Sequence, residues 1–442
     1  MYLLYDLLLH TSLIILLPYF LFKMAMMGKY RQGLLERFGV IGDEKVDGLE
    51  KVRSIWFHAV SVGETKAVIP LVKKLRERHP EVRIVFSTVT ATGNAIAKQE
   101  FPWVDALIFS PLDLSWVVKR VVGRLKPRLF VTVEKEIWPN LFRVLHNKGV
   151  PIVMVNGTIS SRSFKRYRLF APFFKDVFSM VTLFCAQTSR DGDMALTLGM
   201  DKERVVVTGN VKFDGGFLAL SPYERIELMK ALELSDGERV IVSGSTHRGE
   251  EEVVLVVFKR LKEEFRNLRL ILAPRHPERF GEVEGLIRGK GFSLLKRSET
   301  LKSQLSKSPF YPPFEKGGEG GIYDVILLDT LGELHQVYGL ADAVFVGGSL
   351  VDVGGHNILE PAFQKRPILF GPYMQNYIEI VRRLLEVKGG MMVKDGEGLW
   401  KGFRLFLLEP TMARRYGEAA YKLIEANKGT TERSLEVIEG FL

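Results

Sequence analysis

From position 52 to position 209 the chain repeats one pattern: a short run of β-branched and aromatic residues, a turn of small or polar residues, then a helix-like stretch. The runs fall at 52–58, 82–88, 106–110, 129–133, 152–156, 183–187 and 205–209, and the helical stretches at 64–78, 91–99, 114–125, 139–147, 163–180 and 190–198. The runs are continuously apolar rather than alternating, as strands buried on both faces of a parallel sheet must be. The pattern restarts after Ser221, with strands expected at 240–244, 269–274, 325–329, 343–347 and 367–370 and helices filling 399–442. The expected architecture is α/β: two doubly wound, Rossmann-like domains, with a break near 209–222. Ligands of such sheets bind at the carboxyl ends of strands, and here also in a cleft between the domains. A length of 442 residues suits two domains. The stretch 306–321, SKSPFYPPFEKGGEGG, is too rich in Pro, Gly and charge to bury a core and reads as a flexible insert.

The N-terminus is of another kind. Residues 2–22, YLLYDLLLHTSLIILLPYFLF, carry one formal charge, Asp6. As a helix they extend about 31 Å, close to the hydrocarbon thickness of a bilayer. Lys23, Lys29, Arg31 and Arg37 follow, so the positive-inside tendency puts the C-terminal flank in the cytoplasm. A membrane anchor over 1–23 is expected; whether it spans or only embeds stays open, and Asp6, His10 and Pro18 also suit a buried apolar helix. The formal net charge of +10 is uneven: residues 1–210 hold 30 Lys+Arg against 19 Asp+Glu, and the remainder is slightly acidic. The first half is therefore the part expected to meet an anionic surface. A single cysteine, Cys185, excludes an internal disulfide framework and a Cys-rich zinc site. No motif supports nucleic-acid binding.

Four groups of residues sit where strands end. In Phe57-His58-Ala59-Val60-Ser61-Val62-Gly63-Glu64-Thr65, Glu64 lies near a helix N-terminus, which favours an ionised carboxylate and makes it a candidate general base. Position alone favours a plain helix-capping role. In Glu134-Lys135-Glu136-Ile137-Trp138-Pro139, two acids at i and i+2 point the same way if the chain is extended, to hold hydroxyls or a cation; a solvated charge cluster fits equally well. Lys212 stands at the domain break, where it can reach an anion in the cleft or be a surface lysine. In the second half, Pro274-Arg275, Leu331-Gly332-Glu333, Gly347-Gly348 and Gly354-Gly355-His356-Asn357-Ile358-Leu359-Glu360 follow strands. Paired glycines before a helix bring backbone N–H groups to a phosphate, Glu360 suits ribose hydroxyls, and Arg275 offers a forked cation. There is no Walker lysine motif, and no Asp-x-Asp pair in this half marks a metal–nucleotide site.

The strings HAVSVGET, VEKEIWPN, TGNVKFD, STHRGEE, PRHPERF, FVGGSLV and GGHNILEPA, in this order and with the apolar N-terminus, resemble the 3-deoxy-D-manno-octulosonic acid (Kdo) transferases of lipopolysaccharide synthesis. The resemblance covers nearly the whole chain apart from the insert. It implies the GT-B fold and transfer of Kdo from CMP-Kdo to a lipid A precursor at the bacterial inner membrane, among anionic lipids, with no cofactor and no bound metal. It implies that Glu64 is the base and that Glu134 and Lys212 stabilise the transition state. CMP would be held by Pro274 and Arg275, by Leu331, Gly332 and Glu333, and by Asn357, Ile358, Leu359 and Glu360. The first domain is then 24–210 and binds the acceptor; the second is 211–442 and binds the CMP-sugar. Lys135 departs from the small polar residue that relatives often carry. The basic, aromatic stretch 160–181, with Arg162, Lys165, Arg166, Arg168 and Lys175, is a candidate lipid-docking face or simply a helix on the sheet. The alternatives are a GT-B enzyme using another nucleotide sugar, a sugar-nucleotide epimerase, and an inactive membrane-anchored binding protein.

Overall fold

The computed structural model describes residues 1–27, 31–48, 54–215, 219–305 and 323–442; the insert expected at 306–321 lies outside the described residues. The chain folds as two compact domains, one made of Met1–Gly215 with Asn427–Leu442, the other of Gly216–Ala426.

The first domain is a seven-stranded, wholly parallel sheet. Its strands are β1 (Ile55–Ala59), β2 (Ile84–Thr88), β3 (Ala106–Phe109), β4 (Leu129–Val133), β5 (Ile152–Gly157), β6 (Leu183–Ala186) and β7 (Val205–Val207), in the spatial order β3-β2-β1-β4-β5-β6-β7. The unbroken apolar runs are explained by burial on both faces. Successive residues point to opposite sides, so Ile55, Phe57, Leu129 and Val131 enter one core with the helix Val62–Arg78. Trp56 and Phe130 enter the other, with the helices Ser115–Leu125 and Pro139–Asn147. The strand order reverses between β1 and β4. That crevice, at the carboxyl ends of the strands, is the place where a doubly wound sheet receives a ligand.

The second domain repeats the plan with β8 (Arg239–Thr246), β9 (Leu268–Pro274), β10 (Leu294–Lys296), β11 (Val325–Leu327), β12 (Ala343–Val346), β13 (Ile368–Phe370) and β14 (Gly390–Met392), in the order β10-β11-β9-β8-β12-β13-β14. All pairings are parallel, and the order reverses between β8 and β12. The strands that the sequence pattern misses, β10 and β14, are the two edges, each of three residues.

The expected second domain, 211–442, is corrected at both ends. Residues 211–215 and 427–442 belong to the first domain. The final helix, Thr430–Glu439, buries Leu435 and Ile438 in the same core as Phe57 and Val68. It is fastened by the Gly429 N–H, which donates to Asp214 at 2.7 Å, by Arg433, whose Nε donates to the Thr208 carbonyl at 2.9 Å, and by the Lys74–Glu432 ion pair. The helix expected at 163–180 is two, Ser161–Leu169 and Ala171–Ser179, broken at Phe170 ahead of Pro172. The apolar N-terminal segment is one helix, Tyr2–Met27.

Candidate active site

At the switch point of the first sheet, β1 ends at Ala59 and the chain turns into the helix Val62–Arg78. Ser61 is its N-cap, its Oγ accepting from the Glu64 N–H. The Glu64 side chain folds back, accepting from the Val60 N–H at 2.6 Å and from the Ser61 hydroxyl at 3.3 Å. This is capping geometry, so the plain structural role is realised. A surface cap does not require what else is found: Glu64 is only 5% exposed. Burial, helped by the nearby Glu134 carboxylate, raises its pKa despite the bonds from Val60 and Ser61 and the charge of Lys135. A carboxylate displaced toward neutrality is a better base. His58 of the same motif is a core residue. It is fully buried, its Nδ1 lies 2.9 Å from the Ser87 hydroxyl, and burial holds it neutral with a pKa of about 3.

The chain leaving β4 does not stay extended. Glu134 has φ 59°, in the left-handed region, so the expectation that Glu134 and Glu136 lie on one side of a straight chain is corrected. The carboxylates are neighbours for another reason: the turn wraps them around the β1–β4 crevice. Glu136 feels Glu64 and Glu134, and burial followed by those charges pushes its pKa up to about 7. Sequence alone makes Glu136 no more than a companion of Glu134.

Asn156, at the end of the adjacent strand β5, is also left-handed, with φ 54°. Two non-glycine residues in this conformation, side by side at a sheet's carboxyl edge, are strain of the sort that gathers at functional sites. Asn156 Nδ2 donates to Glu134 Oε1 at 3.3 Å, and Asn156 Oδ1 accepts from the Val211 N–H at 3.2 Å. Gln187 donates to the Asn156 carbonyl and accepts from Asn210, whose Oδ1 receives the Lys212 N–H at 2.9 Å. This chain of amides carries the 3₁₀ turn Val211–Asp214 to the carboxyl edge of the sheet. There Lys212 Nζ stands 3.6 Å from Glu134 Oε1. The structure thus brings Lys212 and Glu134 together within the first domain, just before the chain passes to the second at Gly215. The motif strings contain Glu134, Asn210 and Lys212; Asn156 and Gln187 carry no signal in the sequence, because their role depends on strand order.

In the second domain the switch point is framed by the loops after β8 and β12. Glu250, fully buried, accepts from the N–H groups of Gly348, Ser349, Leu350 and His247. Of the first glycine pair, the Gly348 N–H is therefore occupied by a protein carboxylate and the Gly347 N–H by the Gly244 carbonyl at 2.8 Å, and the expectation that they cradle a phosphate is corrected. Likewise the Gly355 N–H is bonded to the Gly348 carbonyl, and the helix after Asn357, Leu359–Phe363, has only five residues. Three histidines, present in the motif strings but given no role by the sequence, line this crevice. His247 and His356 stack with rings 7° from parallel and Nε2 atoms 2.8 Å apart, and His276 meets His247 edge-on. At that separation one ring donates and the other accepts, so at most one is cationic. Burial and the neighbouring cations push His356 down to about 4. Arg275 projects beside them from the end of β9, exposed, after buried Pro274. Asn357 caps the Leu359 N–H and donates to Glu360 at 3.1 Å. The Glu333 carboxylate is held by buried Arg297 at 3.1 Å and by the Thr330 hydroxyl, which leaves the exposed backbone of Leu331 and Gly332 as the accessible part of that loop.

Comparison with known proteins supplies the family. A family model described as 3-deoxy-D-manno-octulosonic-acid transferase (kdotransferase) matches residues 32–215. The 3-deoxy-D-manno-octulosonic acid transferase of Haemophilus influenzae is 34% identical over 420 residues, 94% of this chain and 92% of that protein. The protein of the same description from Chlamydophila psittaci is 32% identical over 99% of this chain and 96% of its own. Among solved structures, a UDP-N-acetylglucosamine 2-epimerase homologue from Listeria monocytogenes aligns with a TM-score of 0.55 at 15% identity, over 87% of this chain and 95% of that one, which supports the fold alone. The protein has the two parallel-sheet domains of the GT-B class, and it belongs to the 3-deoxy-D-manno-octulosonic acid transferase family, the glycosyltransferases that add Kdo in lipopolysaccharide biosynthesis.

Proposed function

We propose that the protein is an inverting transferase that moves Kdo from CMP-Kdo to a lipid A precursor at the cytoplasmic face of the bacterial inner membrane. The observation that carries this reading is Glu64, a buried carboxylate of raised pKa at the first sheet's switch point, beside the Glu134–Lys212 pair.

In this reading Glu64 takes the proton of an acceptor sugar hydroxyl. The oxygen attacks the anomeric carbon of Kdo opposite the phosphate, and the bond from that carbon to the phosphate oxygen breaks, its electron pair leaving with CMP. Glu134 faces the positive charge that develops on the sugar, and Lys212, held by Glu134, offsets negative charge on the departing phosphate. The second domain holds the nucleotide: Arg275 meets the phosphate, and Pro274, the backbone of Leu331 and Gly332, the loop position of Glu333, and Asn357 to Glu360 surround cytidine and ribose. Cationic side chains carry the phosphate charge, so the reading calls for no metal and no cofactor. Arg162, Lys165, Arg166, Arg168 and Lys175, on the paired helices Ser161–Leu169 and Ala171–Ser179, suit the phosphates of the lipid acceptor and of its membrane.

The test is incubation of the purified protein with a lipid A precursor and either CMP-Kdo or UDP-sugars, followed by mass spectrometry. The expected result is a gain of Kdo mass with CMP-Kdo alone. Transfer from a UDP-sugar instead, or none from CMP-Kdo, contradicts the reading.

A further inference from the structure

The helix Tyr2–Met27 has the length and composition of a membrane span, yet its first turns are fastened to the first domain. The Tyr5 hydroxyl donates to Asp113 Oδ2 at 3.0 Å. Asp6, the charge that sits badly in a span, accepts from the Ser115 N–H at 3.1 Å, the Ser115 hydroxyl at 2.6 Å and Asn140 Nδ2 at 3.0 Å. Tyr2 and Tyr5 lie against Phe173 with ring centroids 5.2 and 5.5 Å apart, and the Arg143 guanidinium covers Tyr2 at 4.6 Å.

The chain that follows the helix returns to the same place. Arg31 Nε donates to the Met24 carbonyl at 2.9 Å. Gly33 sits so close to Phe109 that a Cβ would enter the ring, and the Glu36 carboxylate accepts from the Phe109 N–H at 2.7 Å. The Leu112 N–H donates to the Arg37 carbonyl at 2.8 Å. The first turns of the helix and the residues 33–37 that follow it are thus both tied to the segment 109–115. Gly33 lies six positions after Met27, a stretch that covers about 20 Å when fully extended, whereas a hydrocarbon core is about 30 Å thick. A helix held in this way cannot carry Tyr2 to the opposite side of a bilayer from Gly33.

What it presents outward is apolar. Tyr2, Tyr5, Asp6, Leu9 and Leu13 form the half-buried stripe, while Leu3, Leu7, Ile14, Ile15 and Phe22 are each more than 60% exposed. Through Phe173 this ridge adjoins the break between the paired basic helices, where Leu169 and Phe170 are also exposed. Apolar side chains beside Arg166 and Arg168 have the make-up of a surface that sits in the headgroup and upper acyl region of an anionic leaflet.

We propose that the protein is monotopic: the Tyr2–Met27 helix embeds in one leaflet, with both of its ends on the side of the catalytic domains. The proposal rests on the reading that the enzyme works at an anionic membrane. Its test is an N-terminal epitope on the full chain, with protease added to spheroplasts or to inverted inner-membrane vesicles. The expected result is loss of the epitope only from inverted vesicles, together with digestion of the catalytic domains. Asp6→Leu, which removes the docking carboxylate, should expose the epitope to protease on spheroplasts. Loss of the wild-type epitope from spheroplasts with the catalytic domains intact overturns the proposal. So does recovery of the protein as a soluble oligomer, the ridge being covered by a second copy. Transfer activity in detergent is read separately: if it persists, a failed topology leaves the catalytic reading standing.

Discussion

At the residue scale the site is a set of carboxylates kept out of water near one another. Glu136 has its folded pKa pushed up to about 7, above the 4.5 of an exposed glutamate, so folding favours its protonated form. The stability this confers is whole below about pH 4.5 and is lost as pH rises through 7. Glu136→Gln is therefore expected to stabilise the protein by about 2 kcal/mol at pH 8 and by little at pH 4.5, each tenfold change in proton affinity being worth roughly 1.4 kcal/mol before solvent screening is taken off. Thermal unfolding at the two pH values checks it. Glu64 has to be ionised to accept a proton, so kcat/KM should rise with pH along a limb set by its raised pKa. Because the Glu134 carboxylate helps to raise Glu64, Glu134→Gln should move that limb to lower pH, as read from the pH–rate profile of the remaining activity. Glu64 and Glu134 are visible in the strings around them. The importance of Glu136 is not, since it depends on burial, and the histidine pair is not, since His247 and His356 meet only when β8 and β12 become neighbours.

At the scale of elements, the sequence pattern finds the strands buried on both faces and misses the two edges of the second sheet. Leu294–Lys296 and Gly390–Met392 are too short for an apolar run to register, and an edge needs fewer apolar residues. The pattern also recognises the C-terminal helices but not where the last one goes. Thr430–Glu439 lies on the first domain because Leu435 and Ile438 complete a core that the strands and the helix Val62–Arg78 leave open. Leu435→Ala should cost roughly 2–5 kcal/mol, and denaturant melting should show the loss in the first domain. The same mutation should leave nucleotide binding by the second domain within experimental error, which calorimetry with CMP checks. The left-handed turns at Glu134 and Asn156 are invisible in the sequence as well, since neither position is a glycine.

At the scale of the whole molecule, the corrected domain boundaries sharpen the charge division. With 211–215 and 427–442 reassigned, the first domain carries the entire net charge of +10 and the second carries none. The division matches the proposed labour, a phosphorylated lipid and an anionic leaflet on one domain and a single nucleotide on the other. Binding to vesicles containing anionic lipid should weaken steeply between low salt and about 0.5 M, as charge beyond a Debye length of about 10 Å or less is screened. Residual salt-resistant binding is expected from the apolar helix Tyr2–Met27, and vesicle sedimentation separates the two contributions. Catalysis as described here depends above all on Glu64 deprotonating the acceptor in Kdo transfer, and the single-turnover rate of Glu64→Gln with CMP-Kdo and a lipid A precursor tests that step without interference from product release. A fall of about 10²–10⁴-fold is expected, with CMP-Kdo affinity unchanged; a rate near that of the wild type would contradict the assignment of the base.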